Sequence, residues 1–159
     1  MNKTKYGSKG LTVIELLFIV IVICILGSVV AISYNGVQSK NRNTERRKDI
    51  DAMKLQLETY YTNTNLYPTQ SNMNDQAWRL KNVKLTENII TDPSWEKSTA
   101  SCSLNDRPTF AANPATNCYS YQVTSPDGSP CDNNGYLCVH YTLTAKLEGG
   151  ENYVKTSLN

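Results

Sequence analysis

The sequence has few of the residues from which catalytic sites and large cores are usually built. It contains one histidine and two phenylalanines, and no proline precedes Pro68. A lone histidine leaves no partner for a catalytic triad or a histidine-rich metal site. The 16 basic and 14 acidic residues nearly cancel, so the large positive charge of a nucleic-acid-binding domain is also absent. We therefore expect a structural protein without cofactor, enzymatic activity or nucleic-acid partner.

Charge and hydrophobicity are unevenly distributed along the 159 residues. Residues 1–10 contain three lysines and no acid, which is typical of a cytoplasmic leader before a membrane segment. Residues 11–34 carry a single charge, Glu15. The uncharged part of this stretch, at ~1.5 Å per residue, is long enough to cross a bilayer core of about 30 Å. The pattern predicts a transmembrane helix at 11–34 whose N-terminus lies in the cytoplasm.

A basic segment joins this apolar stretch to an acidic head. Residues 40–48 hold five basic residues and one acid, whereas residues 49–159 hold eight bases and twelve acids. Basic segments next to a membrane bind anionic lipid head groups. Segment 40–48 is therefore expected to contact either lipid head groups or the acidic heads of neighbouring subunits.

Hydrophobic spacing predicts one long helix. Apolar residues continue at helical spacing through Ile50, Met53 and Leu57, so a helix is expected from about Leu11 to Tyr61. Its second half, residues 35–61, would be amphipathic.

The remainder, 62–159, is predicted to be a globular head with an antiparallel sheet at about 118–157. A short helix is expected from Asp75 to Val83 with Asp75 as N-cap, and a turn of helix before Asp92. Apolar residues then alternate, which predicts two half-buried strands, one with Tyr119, Tyr121 and Val123 on one face and one with Leu137, Val139, Tyr141, Leu143, Ala145 and Leu147. A third strand is expected from Asn152 to Ser157, so the fold class is α+β.

Five cysteines divide between the apolar stretch and the head. Cys24 lies in the former, and Cys102, Cys118, Cys131 and Cys138 lie in the latter. An even number in an exported domain predicts two disulfides, and the C-x2-C spacing of a zinc site is absent. Three pairings are possible, and pairing of sequence neighbours, Cys102 with Cys118 and Cys131 with Cys138, is preferred.

One acid interrupts the start of the apolar stretch, in the run GLTVIELL at 10–17. An unpaired carboxylate in a membrane helix costs roughly 2.5–3.5 kcal/mol on insertion scales, so Glu15 requires a partner. Cleavage after Gly10 would create one, because the new α-amine of Leu11 is a cation that a carboxylate on the next subunit can reach. Glu15 would also lie in the first helical turn, where the helix dipole favours an acid.

Residues 7–34 resemble the N-terminus of the type IV pilin and pseudopilin superfamily. The signature of that family is a glycine followed by an apolar residue, threonine, two aliphatic residues, glutamate and two leucines. Leu11 stands where the family usually has phenylalanine. Three further segments resemble elements of major pseudopilins. They are the segment 57–69, which ends in Tyr67-Pro68-Thr69, and the segments 91–95 and 141–148.

The resemblance implies that a prepilin peptidase removes the leader 1–10, cuts between Gly10 and Leu11 and methylates the amine of Leu11. Thr12 and Glu15 are then assembly residues. It implies a pilin-like fold and a structural subunit of a type IV pilus, used for adhesion, twitching motility or DNA uptake. Its partners would be other copies of the chain, the inner-membrane assembly platform, minor pilins and, before assembly, membrane lipids. The precursor would lie in the inner membrane and the filament outside the cell.

Other interpretations remain open. The N-terminus could be an ordinary signal peptide cut near residues 29–31, or a simple signal anchor, and Glu15 an acid at the lipid interface. The function could instead be that of a major pseudopilin of a secretion or competence apparatus. A protein of another class, a membrane-anchored adhesin or receptor domain, is the third hypothesis.

Three acids of the head could offer oxygen ligands to calcium, as loops of some pseudopilins do. They are Asp127, Asp132 and Glu148. Their spacing does not match the D-x-[DN]-x-[DN]-G calcium loop, which favours a solvated turn. No metal site is therefore predicted.

Overall fold

A computed structural model describes residues 10–96 and 102–158, and the side chains of residues 29–35 lie outside the described part. The chain forms two compact units, Met1–Gln38 and Ser39–Asn159. Of the predicted leader, only Gly10 belongs to the described residues. The fold is α+β, with a long N-terminal helix and a small antiparallel sheet, as predicted.

Helix α1 is Val13–Thr64, which confirms one helix through both predicted segments. It ends because Asn65 adopts a left-handed conformation, with φ of 57°, and its N–H donates to the Tyr61 carbonyl at 2.7 Å. The helix extends past the predicted end because the polar side chains of its last turn donate to carbonyls four residues earlier: Thr62, Asn63 and Thr64. Those side chains therefore do not compete with the helical backbone.

Among the described residues, no helix has the length and apolar character needed to cross a membrane. The predicted segment 11–34 and the alternative cleavage region 29–31 include residues whose side chains lie outside the described part.

Three short helices follow: α2 (Gln70–Asn74), α3 (Gln76–Asn82) and α4 (Glu87–Ile90). The predicted N-cap of α3 is confirmed, since the Asp75 carboxylate accepts the Trp78 N–H at 3.1 Å. Helix α4 is the turn of helix expected before Asp92. Helix α2 was not predicted, because five residues are too few to show a helical period. Its start is capped by Thr69, whose hydroxyl oxygen accepts the Asn72 N–H at 3.1 Å.

A small hairpin lies before residue 118, in a segment for which no strand was predicted. Strands β1 (Ser103–Leu104) and β2 (Arg107–Pro108) pair antiparallel. The two residues between them, Asn105 and Asp106, both have positive φ, 50° and 62°. Asparagine and aspartate are favoured in such two-residue turns. Strands of two residues carry no readable alternation, which is why the pattern did not predict them.

The main sheet has the order β3-β4-β5, with all pairs antiparallel: β3 (Tyr119–Thr124), β4 (His140–Lys146) and β5 (Asn152–Thr156). The three predicted strands are present. Burial is greater than expected, since residues 119–121 and 143–145 are buried consecutively. Because successive strand residues point to opposite faces, both faces of the sheet are covered there.

The predicted start of the second strand was wrong. Leu137 was assigned to its buried face, but β4 begins at His140 and Leu137 is 51% exposed. The preceding residues form a loop, closed by the Cys131–Cys138 disulfide. The Asn133 side chain also accepts the Cys138 N–H at 2.7 Å.

Tyrosines supply much of the core that the scarcity of phenylalanine leaves open. Ile50, Met53 and Leu57 of α1 are fully buried in one cluster with tyrosines of the head. The buried hydroxyls are satisfied: Tyr67 and Tyr141 donate to Glu58, Tyr119 to Asp49, and Tyr121 to the carbonyl of Pro68. Each ring therefore contributes apolar area without leaving its hydroxyl unpaired.

Candidate functional site

The predicted processing and assembly residues lie at the start of α1. Gly10 and Leu11 precede the helix, and Leu11 is 71% exposed. Oε2 of Glu15 accepts hydrogen bonds from the backbone N–H and the hydroxyl of Thr12, both at 2.8 Å. Oγ1 of Thr12 in turn accepts the Glu15 N–H at 3.3 Å. This arrangement is a capping box. This role of Thr12 and Glu15 was not predicted from the sequence, although their T-x-x-E spacing is the signal that could have indicated it.

An exposed apolar surface surrounds the capping box and continues along the helix. It consists of the large apolar side chains from Leu11 to Leu26, whose exposure ranges from 37% at Val22 to 82% at Val13. Cys24, within the same stretch, is a free and exposed cysteine. Continuous apolar surface of this extent marks a contact site for other protein or for lipid.

The basic segment 40–48 contains a buried ion cluster, here called the Arg46 cluster. Arg46 is only 1% exposed, and its guanidinium donates to both carboxylate oxygens of Asp92, at 2.7 and 2.9 Å. It also contacts Glu148 Oε1 at 3.1 Å. Arg42 donates from Nε and, at 2.7 Å, from Nη2 to the same Glu148 carboxylate.

Asparagine and serine side chains complete the Arg46 cluster. Asn43 Oδ1 accepts from Arg46 at 2.9 Å, and Ser94 Oγ accepts from it at 3.1 Å. The hydrogen bonds from the Arg42 guanidinium are the main reason why the pKa of Glu148 falls to about 2. The carboxylate is therefore charged throughout the physiological pH range.

The Arg46 cluster changes the interpretation of the basic segment. Two of its five cations, Arg42 and Arg46, bind acids of their own head, so they are not available to lipids or neighbouring subunits. The exposed cations of the segment are Lys40, Arg47 and Lys48. This cluster was not predicted from the sequence. Asp92, the acid directly before Pro93, lies in the segment 91–95 that resembles pseudopilins, but nothing in the sequence indicated its pairing with Arg46.

The three calcium candidates lie in different local structures. Asp127 accepts from Ser125 and Ser129, and Asp132 Oδ1 accepts three backbone N–H groups, from residues 134–136. Glu148 belongs to the Arg46 cluster. In the described ranges, no group of three or more acid, histidine or cysteine side chains is placed to hold a metal.

Both disulfides join the pairs preferred from their spacing, Cys102–Cys118 and Cys131–Cys138. The first bridge is buried at both ends, at 3% and 2% exposure. Cys102 lies directly before β1 and Cys118 lies directly before β3. The bridge therefore connects the β1–β2 hairpin to the start of the main sheet.

A second unusual acid lies beside the Arg46 cluster. The Asp49 carboxylate accepts the Tyr119 hydroxyl at 2.7 Å. Burial raises its pKa to about 6, a direction that the Tyr119 hydrogen bond opposes and the nearby charges of Glu45 and Asp92 reinforce. Among the described residues, Asp49 therefore has no basic partner at ion-pair distance to offset its burial.

Comparison of the chain with protein-family models, curated proteins and solved structures finds no match. The function must therefore follow from the residues and their geometry.

Proposed function

We propose that this chain is the structural subunit of a type IV pilus-type filament, cleaved between Gly10 and Leu11 and assembled through the N-terminal part of α1. The observation that carries the proposal is the exposed apolar surface, which begins directly after Gly10 and spans the capping box. Covering apolar area is favourable by roughly 25 cal/mol per Å². Lipid would cover the surface before assembly, and other copies of the chain would cover it afterwards.

The lysine-rich leader supports a precursor with its N-terminus in the cytoplasm and residues 11–34 in the inner membrane. Processing and export would involve a prepilin peptidase, an inner-membrane assembly platform and minor pilins. Contacts between different surfaces of successive copies generate helical filaments when the rotation from one copy to the next does not close a ring, and the proposal requires contacts of this kind. The head supplies the outer surface and performs no chemistry in this proposal.

The capping box suggests how Glu15 can act twice. Both hydrogen bonds from Thr12 go to Oε2. Oε1 can therefore accept a hydrogen bond from the Leu11 amine of a neighbouring subunit, while Oε2 still caps its own helix. In surroundings of low dielectric constant such a charged contact is much stronger than in water, so it would define the axial register of the subunits.

Two substitutions separate capping from intersubunit pairing. Glutamine at N3 retains the capping box, whereas leucine removes both the charge and the side-chain acceptor of residue 15, and leaves only the Thr12 hydroxyl to cap the helix. We expect Glu15→Gln and Glu15→Leu to be cleaved normally and to accumulate in the membrane, with few or no fibres sheared from the cells. Normal fibre yield from Glu15→Gln together with loss in Glu15→Leu would show that capping alone is required. Normal yield from both would contradict an assembly role.

The N-terminus of the exported chain is an independent test. We expect Edman sequencing and mass measurement to find a mature chain that begins at Leu11 and carries a methyl group on its amine. An N-terminus near residue 32 would identify an ordinary signal peptide instead. An uncleaved chain would support the signal-anchor hypothesis.

The second candidate is a major pseudopilin of a secretion or competence apparatus. Two elements that resemble that group hold central positions in the head, since Tyr67 is fully buried and Asp92 pairs with Arg46. Shearing separates the candidates, because a pilus subunit is recovered as long surface fibres at its natural expression level. A subunit confined to the envelope would favour the pseudopilin.

A further inference from the structure

A second buried arginine lies in the head, away from the Arg46 cluster. Arg79 of α3 is 2% exposed. Its hydrogen bonds go to two backbone carbonyls, from Nε to Leu85 at 3.3 Å and from Nη1 to Met73 at 2.5 Å. The salt bridges found among the described residues do not include it. Glu87 and Asp75 favour its charge only from beyond ion-pair distance.

An arginine side chain cannot release its proton to escape burial. A buried charge is normally neutralised by a partner at hydrogen-bonding distance, because an uncompensated one is costly. Arg79 has five N–H donors, and its two hydrogen bonds leave Nη2 without an acceptor in the described part of the chain. The guanidinium therefore lacks the anion that its burial calls for.

Arg79 lines a cleft of about 420 Å³ between the short helices and the β1–β2 hairpin. A second cation, Arg107, and one acid, Glu87, also line it. Gln76 lies between them, because its amide donates to Glu87 Oε2 at 3.0 Å and its carbonyl accepts from Arg107. The cleft thus has two cations and one anion, and its volume lies in the usual range of small-molecule sites.

We propose that this cleft binds a small carboxylate that also carries hydroxyl groups, the chemistry of a sugar acid. Nη2 of Arg79, which has no acceptor in the described part, and the guanidinium of Arg107 can each donate a charge-assisted hydrogen bond to a carboxylate. Glu87 uses Oε2 for Gln76 and keeps Oε1 to accept a ligand hydroxyl. Asn105 and Thr109, at the edge of the cleft, add polar groups suited to hydroxyls.

The acid in the cleft favours a carboxylate over a phosphate. Because two cations and one acid line the cleft, a singly charged carboxylate balances its charge, whereas phosphate, which carries more charge, would leave excess negative charge beside Glu87. A neutral sugar would use Glu87 and the amides but would leave Arg79 without an anion. The proposal does not depend on filament formation, since every residue of the cleft belongs to the unit Ser39–Asn159.

The test uses the full chain, ¹⁵N-labelled and kept in solution with a non-ionic detergent. Glucuronate, glucose and inorganic phosphate are titrated separately while the Arg79 Nε–H signal is followed by NMR. We expect a saturable shift with glucuronate, no shift with glucose and weaker binding of phosphate. No shift with glucuronate, an equal response to glucose, or tighter binding of phosphate would overturn the proposal.

Variants at the edge of the cleft identify the site without disturbing the buried Arg79. Arg107→Gln should weaken glucuronate binding about tenfold, the effect of losing one charge-assisted hydrogen bond. Glu87→Gln should strengthen the binding of both glucuronate and phosphate, because it removes the repulsion. Lys81→Gln is the matched control, since it removes the same charge from the exposed side of α3. Equal weakening by Lys81→Gln and Arg107→Gln would show non-specific charge attraction and contradict the proposal.

Discussion

The two buried arginines of the head have opposite surroundings. Arg46 on α1 is held by two carboxylates, with both oxygens of Asp92 within 2.9 Å and Glu148 at 3.1 Å. Arg79 on α3 is equally buried but bonds only to backbone carbonyls, and it lines a cleft. The same side chain at the same burial therefore has different electrostatic compensation in the two regions.

The difference distinguishes an arginine that stabilises the fold, Arg46, from one that is able to bind a ligand, Arg79. A guanidinium neutralised on several sides joins segments that are distant in the chain, and it has no charge left for a ligand. A guanidinium without an anion keeps donors that an external anion can use. Burial alone thus says little about the role of a charged residue, whereas the identity of its partners is informative.

The largest effect is expected from removing the main partner of Arg46. Asp92→Ala leaves a buried cation without its bidentate acceptor, which should lower the free energy of unfolding by about 3–5 kcal/mol. Urea unfolding measures this loss. Asp51→Ala is the control, because the Asp51–Lys155 pair is largely exposed, at 3.3 Å, and should cost under about 1 kcal/mol. Equal losses would mean that the Arg46 cluster has no special stabilising role.

A moderate effect is expected from replacing the arginine that lacks an anion. Arg79→Met leaves the carbonyls of Met73 and Leu85 without donors, a cost of about 1–3 kcal/mol, but it also removes an uncompensated charge. Arg46→Met should cost more, since two carboxylates then lose their cation. The comparison of the two arginines fails if urea unfolding ranks these two variants in the opposite order.

Acid should weaken the Arg46 cluster selectively. The pKa of Glu148 is lowered to about 2 in the fold, from 4.5. Its contribution to stability is therefore present above about pH 4.5 and is lost as the pH falls towards 2, because the unfolded chain binds the proton first. Glu148→Gln should show less acid destabilisation than the parent between those values, whereas Arg79→Met should retain the parent slope.

The smallest effect is expected at Asp49, which, like Arg79, has no partner of opposite charge at ion-pair distance among the described residues. Its pKa is raised to about 6, from 3.8. The native state therefore holds a proton that the unfolded state has released, so this group favours folding below about pH 3.8 and the advantage is lost as the pH rises through 6. Asp49→Asn should flatten the pH dependence in that window. The free energy of unfolding is measured by denaturant melts at several pH values. If its dependence on pH is the same in the parent and in Asp49→Asn, the raised pKa is contradicted.

Features that depend on near neighbours in the chain were predictable from the sequence. The absence of proline before Pro68 and the helical spacing of Ile50, Met53 and Leu57 predicted α1. The N-cap at Asp75 and the position of β3 followed in the same way. The start of β4 was misplaced because a disulfide and an asparagine side chain, rather than the alternation, control residues 133–138.

At the candidate site, the residues 10–15 could be identified from their order alone, since Thr12 and Glu15 interact across one helical turn. The contacts of the basic segment 40–48 could not be predicted from the order of its residues. Its positive charge predicted a surface that contacts lipid or other subunits. Arg42 and Arg46 instead form salt bridges with acids of the same head.

The amino-acid sequence by itself determined the long helix, the strands of the main sheet and the cysteine pairs that are close along the chain. Only the tertiary structure decided which charges are neutralised. Arg46 meets Asp92 across 46 positions and Glu148 across 102, while Arg79 meets no such acid in the described part. Helical and strand periods arise from interactions within a few residues, but the compensation of a buried charge depends on which distant segments pack around it.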